Sequence, residues 1–351
     1  MYYALYDRQL KTIGETYILE SWERTQRAMD FDEMKIVGEQ IPYSADPYFV
    51  VVNDKRGKQL FSGLASTPVI DDKKKKTTIS LKDYMTLLNS DIVVNWSNFT
   101  GTTLSSYIDF VLGIWKTQNG SLGFDNVVWD VSRVTGSLDT GIPLGSDTES
   151  VLAYTLISDC MNYYGIWCES TLDVFEKKLT FTFRNTETGV QEVRLKDFGI
   201  NQVEKSFGEF NKVTVYDHNY VKQQSWVLTT ENTIVKEPLN SSETPVYPTK
   251  NRNYIAEEPD EDLSAIDAVN NAVYDAVMSL ADNRYQENID LDVAAHSVGV
   301  LLKDANFSLS VRVYTEEGYY KTLPVGEIVT DSKGKHIVKI GYRVQELTQE
   351  L

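Results

Sequence analysis

The chain has 351 residues, of which 34 are Lys or Arg and 51 are Asp or Glu, so its formal net charge is −17. Proteins that bind the phosphate backbone of nucleic acids concentrate basic residues on one surface, and the excess of acidic residues therefore excludes an overall basic nucleic-acid binder. With 42% hydrophobic and 24% charged residues, the composition is that of a folded protein. The aromatic content of 11% favours strands.

The length predicts two or three domains at roughly 150 residues per domain. Residues 1–8 contain no basic segment followed by an apolar run, so no signal peptide is expected and the chain is expected to stay in a cytosol. No stretch approaches the roughly 18 apolar residues of a transmembrane helix. The two cysteines, Cys160 and Cys168, are too few for a disulfide framework and are expected to be buried thiols.

The first 80 residues read as strands and turns. Residues 49–52 form an apolar, β-branched run that is followed by turn residues 53–57, which predicts a hairpin that continues through residues 58–63. Four lysines, residues 73–76, separate two further strand-like runs. They fit a nucleic-acid or lipid patch by charge, but their position favours a solvated hairpin tip.

Helical spacing first appears between Leu104 and Trp115, with Gly120 as a stop. A second helix is predicted to begin at Ser146, because residues 146–149 have capping-box spacing, and to close at Gly165. Strands are predicted from the alternation of apolar and polar residues at 179–184, 212–216 and 225–228.

Residues 236–260 contain four prolines and are predicted to form an extended loop. The longest predicted helix follows at residues 262–286. Its predicted core face consists of Ile266, Val269, Val273, Val277 and Leu280. Its predicted opposite face is acidic and carries Asp267, Asp275 and Asp282.

Residues 255–292 hold eleven acidic residues and a single base, Arg284, and therefore carry −10 of the net charge of −17. Such a run is typical of a solvated helix face. The functional alternative is a surface that repels a polyanion or docks a basic partner.

The C-terminal region returns to strands, with strict alternation at 307–313 and 338–344. The order of strands and turns from Val50 to Leu81 recurs from Val313 to Gly341. Gly57 and Gly318 are 261 residues apart. The sequence therefore indicates a weak internal repeat, with chance as the alternative, since turns always collect glycine and charge.

No motif for catalysis or for cofactor binding is found. The three histidines, His218, His296 and His336, have no metal-ligand spacing, and no phosphate-binding glycine loop or nucleophile elbow is present. The acidic pairs at 71–72 and 290–292 lack the calcium-loop pattern. The prediction is a protein that is not an enzyme and has no cofactor and no metal.

Five segments carry a family resemblance, namely residues 61–63 (Phe-Ser-Gly), 77–88, 91–94 (Asp-Ile-Val-Val), 324–329 and 339–343. Together they resemble the baseplate hub, or tail-associated protein, at the tip of long-tailed bacteriophages, similar to the hub proteins of contractile-tailed phages. The resemblance implies an α+β fold that is predominantly antiparallel β, with two barrel-like domains related to tail-tube domains plus smaller mixed α/β domains.

The division expected from this resemblance is an N-terminal barrel-like domain at 1–90 and a mixed α/β domain at 91–195. The second barrel-like domain is expected at 196–235 and 288–351, with the proline-rich loop and acidic helix inserted at 236–287.

The resemblance further implies a homotrimer, whose ring continues the tail tube and plugs or gates the DNA channel. The implied partners are the distal tail and other baseplate proteins and the tape-measure protein, with DNA passing without specific binding. The implied location is the virion tail of a phage or prophage, assembled in the host cytoplasm. On this interpretation, Asp267, Asp275 and Asp282 face the channel or form a docking face.

The alternative from another class is a carbohydrate-active enzyme, or a carbohydrate-binding module, that acts on bacterial cell-wall or surface polysaccharide. Abundant carboxylates would supply its chemistry, and exposed tryptophans would stack on sugars. The candidates are Trp96, Trp115, Trp129, Trp167 and Trp226, although Trp115 lies on the apolar stripe of a predicted helix.

Overall fold

The computed structural model describes residues 1–28, 30–120, 124, 126–138, 148–185, 189–206, 208–230, 233–260, 263–284, 286–293, 302 and 306–341. Strands dominate the described residues, and three α-helices pack against them. The structure confirms the predicted α+β class with its excess of antiparallel strand pairs.

The first seven strands form the N-terminal unit. They are β1 (Tyr2–Tyr6), β2 (Tyr17–Arg27), β3 (Glu33–Glu39), β4 (Phe49–Asn53), β5 (Gln59–Ala65), β6 (Val69–Asp71) and β7 (Lys76–Lys82). Hydrogen-bonded pairing runs β1–β4–β5–β7–β3–β2 and returns from β2 to β1, which closes a cycle of six strands. Alternate residues of these strands point inward, among them Leu5, Ile36, Val50 and Ile79.

Both predicted hairpins of this unit are observed. β4 pairs with β5, and the first three lysines of the run, residues 73–75, lie in the turn between β6 and β7, whose first residue is Lys76. Lys74 and Lys75 pair with Asp71 and Asp72 at the same tip, which is the solvated arrangement that the sequence favoured.

A short 3₁₀ turn, Tyr84–Leu88, leads into the mixed unit. Its elements are β8 (Asp91–Asn95), α1 (Leu104–Asn119), β9 (Asn126–Arg133), β10 (Thr148–Leu152), α2 (Ala153–Tyr164), β11 (Ile166–Asp173) and β12 (Lys178–Asn185). β12 lies between β11, its antiparallel partner, and β9, its parallel partner. Both helices share a core with this sheet, which includes Trp115, Ile157 and Phe181.

The helix α1 has the bounds and face that its spacing predicts. Leu104, Tyr107, Ile108, Val111, Leu112 and Trp115 are all buried, Thr103 and Ser106 form a capping box, and Gly120 ends the helix.

The predicted start of the second helix at Ser146 is wrong. Ser146 lies outside the described residues, and Thr148–Leu152 forms β10, which pairs with β8. The helix begins only at Ala153, with Leu152 at its N-cap and no side-chain cap. Pairing with a strand more than 50 residues away therefore overrides the local capping pattern. The predicted end at Gly165 is confirmed.

The remaining elements belong to two further units. They are β13 (Gly189–Arg194), β14 (Gly199–Ser206), β15 (Lys212–Tyr216), β16 (Lys222–Leu228), β17 (Ile234–Lys236), β18 (Asn251–Ile255), α3 (Ala265–Asp282), β19 (Gln286–Asp292), β20 (Leu309–Thr315), β21 (Gly318–Asp331) and β22 (His336–Gly341). The predicted strand at 307–313 thus starts two residues later, and 342–344 of the last predicted strand lie outside the described residues.

The C-terminal strands extend the N-terminal sheet. β21 pairs with β2, and the order continues through β22 and β19 to β14, while β20 joins β21 to β13. Val311, Val325, Val338 and Ile340 contribute to the core of this second strand set. Among the described residues, β13 and β14 do not pair, so this set forms no closed cycle.

A separate four-stranded sheet, in the order β17-β16-β15-β18, packs against α3. Among the strands of residues 196–235, β14 pairs with the C-terminal strands, whereas β15, β16 and β17 belong to this separate sheet. At one edge of this sheet β15 pairs with β18, a strand that lies within the segment predicted to be an extended loop. A short polar strand such as Asn251–Ile255 gives little apolar signal.

The core face of α3 is rotated from the predicted one. Ala268, Ala272 and Ala276 are buried against the sheet beside Val273, Val277 and Leu280, whereas Ile266 is 73% exposed. Alanines allow a helix to approach a sheet closely, and a pattern that counts only large apolar residues overlooks them. Gln286, the predicted last residue of the helix, lies in β19.

Candidate assembly face and interdomain cavity

The three predicted acidic residues of α3 lie outside the helix core but have different environments. Asp267 forms the N-terminal cap with Ser264, whose hydroxyl accepts a hydrogen bond from the Asp267 amide at 3.2 Å. Asp275 reaches the surface, but partial burial of its carboxyl raises its pKa, and the nearby Glu257 adds to this shift. Burial also raises the pKa of Asp282, against the opposing charge of Arg284. Asp267 therefore has a structural role, and Asp275 is the most available of the three.

The acidic segment 255–292 does not form one surface. Its first part lies before and on α3, whereas Asp290 and Asp292 lie on β19 in the other sheet. Asp290 contacts Lys339 at 3.7 Å. Part of the charge is thus balanced locally, and the candidate acidic face is restricted to the region of α3.

α3 also contacts α2 through polar groups. The Tyr274 hydroxyl donates a hydrogen bond to the Asp159 carboxylate, and the Arg284 guanidinium lies 5.2 Å from the centre of the Tyr163 ring. Burial raises the pKa of Asp159 to about 6, and Asp282 adds to this shift. These contacts join the α3 unit to the mixed unit.

A row of alternating charges crosses the junction between the N-terminal and C-terminal strands. Arg27 of β2, Glu327 of β21, Lys339 of β22 and Asp290 of β19 are register neighbours on four adjacent strands. Glu327 is only 3% exposed, and its carboxylate lies 3.5 Å from Arg27 Nε and 2.9 Å from Lys339 Nζ. Opposite charges that face each other across strands stabilise this junction and its register.

A second polar cluster lies where the N-terminal unit meets β11. The buried Asp83 carboxylate accepts hydrogen bonds from the amides of Met85 and Asp32, at 3.0 and 3.1 Å. Asp32 accepts from Arg24 at 3.0 Å and from the Arg27 amide at 2.9 Å. Burial raises the pKa of both aspartates.

A cavity of about 740 Å³ opens beside this cluster, between the N-terminal unit, the sheet β11-β12-β9 and the C-terminal strands. Arg24, Arg133 and Arg184 line it together with Trp167 and Phe307. Interfaces between structural units are frequent locations of ligand sites.

Three nitrogen atoms of the cavity lining have no hydrogen-bond partner. They are Arg24 Nε, Trp167 Nε1 and Arg184 Nε, all of them buried. The remaining contacts of these side chains are well defined. Arg24 donates to the Leu60 carbonyl at 3.0 Å, and the Arg184 guanidinium lies 5.4 Å from the Trp167 ring centre.

Sequence reasoning did not find this cavity, because its residues come from distant segments and each lies in an ordinary strand. The signal that could have indicated the cavity is the set of Arg133, Trp167 and Arg184 at the ends of β9, β11 and β12. These residues are seen to be neighbours only when the strand register is known.

The other residues that the sequence singled out are not brought together. His218 is half-buried beside Asn219, His336 lies half-buried on β22, and His296 lies outside the described residues. Cys160 and Cys168 are buried as expected, and burial raises the pKa of both thiols, which keeps them protonated.

The tryptophans proposed as sugar platforms are not exposed. Trp96, Trp115, Trp167 and Trp226 are at most 7% exposed. Trp129 is half-buried, with Lys116 over its ring and its indole N–H bonded to Asp109 at 2.7 Å. Four of the five are therefore core residues, and Lys116 covers one face of the fifth.

Within the described ranges, His, Cys, Asp and Glu side chains form no group of three or more that could hold a metal ion. No helix in the part of the chain that the structure describes has the length and apolarity needed to cross a membrane.

Comparison with known proteins identifies the fold. No protein-family model matches the chain. No curated protein matches its sequence. Solved structures do match over almost the whole length, at sequence identities that demonstrate a shared fold only.

Three of these structures are tail proteins, two of them from prophages. The 43 kDa tail protein of prophage MuSo2 from Shewanella oneidensis shares 14% identity with a TM-score of 0.51, covering 97% of each chain. The tail protein from Neisseria meningitidis MC58 shares 12% identity with a TM-score of 0.50, covering 97% of this chain and 94% of that one. Prophage tail protein gp18 from Listeria monocytogenes EGD-e shares 12% identity with a TM-score of 0.50, covering 98% and 95%.

The chain therefore has the fold of phage tail proteins, which confirms the resemblance predicted from its sequence.

Proposed function

We propose that the chain is a structural component of a phage tail tip, a baseplate hub that assembles as a homotrimer and continues the tail tube. The observation that carries this proposal is the fold shared with three tail proteins, two of them from prophages, along nearly their whole length. If only one unit of the chain resembled a tail protein, the other units could have another function. The similarity instead covers 97–98% of the chain and so includes every unit.

The architecture supports a ring of related units. Six N-terminal strands close a cycle, and the C-terminal strands continue from β2 through the charged row at β21. In the proposed hub both strand sets act as barrel-like domains, so that three subunits supply six similar elements around a channel. The mixed unit and the α3 unit are the smaller domains of the subunit.

The repeat detected in the sequence supports this arrangement. β4, β5 and β7 with the short β6 form an antiparallel succession, as do β20, β21 and β22. Gly57 lies in the first turn of one succession and Gly318 directly follows the first turn of the other, and both take a positive φ, at 81° and 119°. Ile79 and Ile340 are both buried in its last strand.

The proposed mechanism is electrostatic and mechanical. A wall of negative charge repels DNA within roughly a Debye length of about 8 Å and so prevents adhesion during passage. In this scheme the hub binds the distal tail, other baseplate proteins and the tape-measure protein, and it opens when the receptor-binding machinery engages the host. It works without enzymatic turnover, in the virion tail, after assembly in the host cytoplasm.

The exposed side of α3 is the candidate surface for channel or docking contacts. Asp275 is its most available carboxylate, and Asp282 lies near the contact with α2. A cryo-electron microscopy map of the assembled ring distinguishes the two roles: α3 beside the central hole supports the channel face, and α3 on the outer rim supports docking. A buried α3 at a subunit interface would contradict both.

Molecular mass in solution tests the trimer. Light scattering coupled to size exclusion at micromolar concentration is expected to give three times the mass of the chain for the protein alone, or a complex that contains three copies of it after addition of the neighbouring tail proteins. A strict monomer under both conditions would contradict the proposal. Turnover of peptidoglycan or polysaccharide that a single carboxylate substitution abolishes would instead favour the carbohydrate-active alternative.

A further inference from the structure

We propose that the cavity lined by Arg24, Arg133, Trp167 and Arg184 is a binding site for an oxyanion, either a carboxylate or a phosphate group. The inference rests on the cavity alone and holds whether or not the chain assembles as a hub.

The first argument is the set of unpaired donors. Arg24 Nε, Trp167 Nε1 and Arg184 Nε are buried and donate to no acceptor of the protein. Trp167 itself is only 7% exposed. Buried N–H groups in native proteins nearly always find a partner, because an unmade hydrogen bond in a low-dielectric interior is costly. Three such groups in the lining of one cavity indicate that a ligand supplies the acceptors.

The second argument is the alignment of the donors. Trp167 of β11 lies directly across from Arg184 of β12, and Arg184 lies across from Arg133 of β9. Register neighbours on adjacent strands project from the same face of a sheet. The three side chains therefore form one row along a wall of the cavity, and Arg24 of β2 lines the cavity from the N-terminal unit.

The third argument is the charge of the site. Two of the three unpaired donors belong to guanidinium groups, and Arg133 adds a third, so a charged acceptor makes stronger hydrogen bonds here than a neutral one. Acidic residues of the lining do not occupy these donors. Asp32 accepts a hydrogen bond from a terminal guanidinium nitrogen of Arg24, not from Arg24 Nε. Asp83 accepts hydrogen bonds from two backbone amides, and Glu169 is an exposed residue of the lining.

The size and the other walls define the class of ligand. A volume of about 740 Å³ holds more than a bare ion, and pockets of roughly 300–1,000 Å³ take small organic molecules. Phe61 and Phe307 supply apolar contact beside the polar wall. The site thus fits a small compound that carries at least one carboxylate or phosphate.

Isothermal titration with inorganic phosphate and with citrate tests the proposal, with glucose as the neutral comparison. Saturable binding of one equivalent of phosphate or citrate is expected, and none of glucose. Trp167→Phe, which removes the N–H but keeps an aromatic ring, and Arg184→Gln are each expected to weaken binding at least tenfold. Arg133→Gln changes an exposed residue, so it is expected to fold normally and to weaken binding at least threefold.

Matched controls come from the α3 unit, outside the cavity. Trp226→Phe changes another buried tryptophan, and Arg252→Gln changes another arginine that lies over an aromatic ring. Both are expected to bind within twofold of the unmodified chain. The proposal is overturned if neither anion binds saturably, if glucose binds as well as the anions, or if Arg184→Gln and Arg133→Gln bind as tightly as the original protein.

Discussion

Asp159 shows how burial changes the chemistry of a single side chain. Its pKa rises from an ordinary 3.8 to about 6, mainly because the α2–α3 contact removes it from water. The folded state therefore holds the proton more tightly than the unfolded state. The resulting stabilisation is complete below pH 3.8 and is lost as the pH rises through about 6.

Replacing Asp159 with Asn is expected to remove this pH dependence. As the pH rises from 4 to 7, the free energy of unfolding of the original protein should fall by about 1–3 kcal/mol relative to that of the Asp159→Asn variant. The size of this fall follows from the rise in the pKa of Asp159 from 3.8 to about 6. Urea unfolding at several pH values measures the difference, and the other buried acids cancel because both proteins contain them. Parallel stability profiles for the two proteins would contradict this account of Asp159.

Glu327 illustrates a buried charge that its partners compensate. Glu327→Ala leaves Arg27 and Lys339 facing each other without a carboxylate between them. Loss of one member of a buried ionic group is expected to reduce the free energy of unfolding by about 2–3 kcal/mol, since these cations are partly solvated. Chemical denaturation measures this loss.

The matched control is Glu192→Ala, which removes an exposed carboxylate that contacts Arg312 across β13 and β20. Surface pairs contribute little, so no measurable change in stability is expected. Equal losses of stability from the two substitutions would contradict this account, because the charged row across β2, β21, β22 and β19 would then stabilise the fold no more than a surface ion pair does.

At the scale of elements, a glycine in the middle strand of each repeat lies so close to the neighbouring backbone that a side chain does not fit. A Cβ on Gly63 of β5 would lie against the backbone carbonyl oxygen of Lys82, and one on Gly326 of β21 would lie 2.7 Å from that of Gly341. Both glycines belong to the segments that resemble hub proteins. Their place in the sequence therefore has a steric reason.

Gly63→Ala is expected to destabilise the protein by roughly 2–4 kcal/mol, because backbone must move to accept the methyl group. Gly113→Ala is the control. Gly113 lies inside α1 with no atom near the added methyl, and Ala at a helix interior is expected to raise stability by about 0.5–1 kcal/mol. Thermal unfolding of both variants shows whether the two changes have opposite signs.

The elements that the sequence predicted well are those whose information is local. α1 has six apolar residues in phase and a cap at each end within one stretch, so its position needed no knowledge of the rest of the chain. Residues 148–152 have a local helix signal, but they pair with β8, and no local pattern contains that partner. The candidate cavity is harder still, because Arg24 of the N-terminal unit meets Arg133 and Arg184 of the mixed unit only when both units are folded and in contact.

At the scale of the whole molecule, the net charge of −17 does not imply a uniformly acidic surface. The acidic segment is divided between the surface of α3 and β19, where Asp290 contacts Lys339. A uniform acidic lining of the proposed channel is therefore not required. What the proposal requires is that three copies close around a hole.

Electron microscopy of the purified protein tests this central claim most directly. Two-dimensional class averages are expected to show a ring with threefold symmetry, a pseudo-sixfold inner rim and a central hole or plug. Particles of single-chain size, with no ring at any concentration and none after addition of neighbouring tail proteins, would contradict the account of this chain as a tail-tip hub.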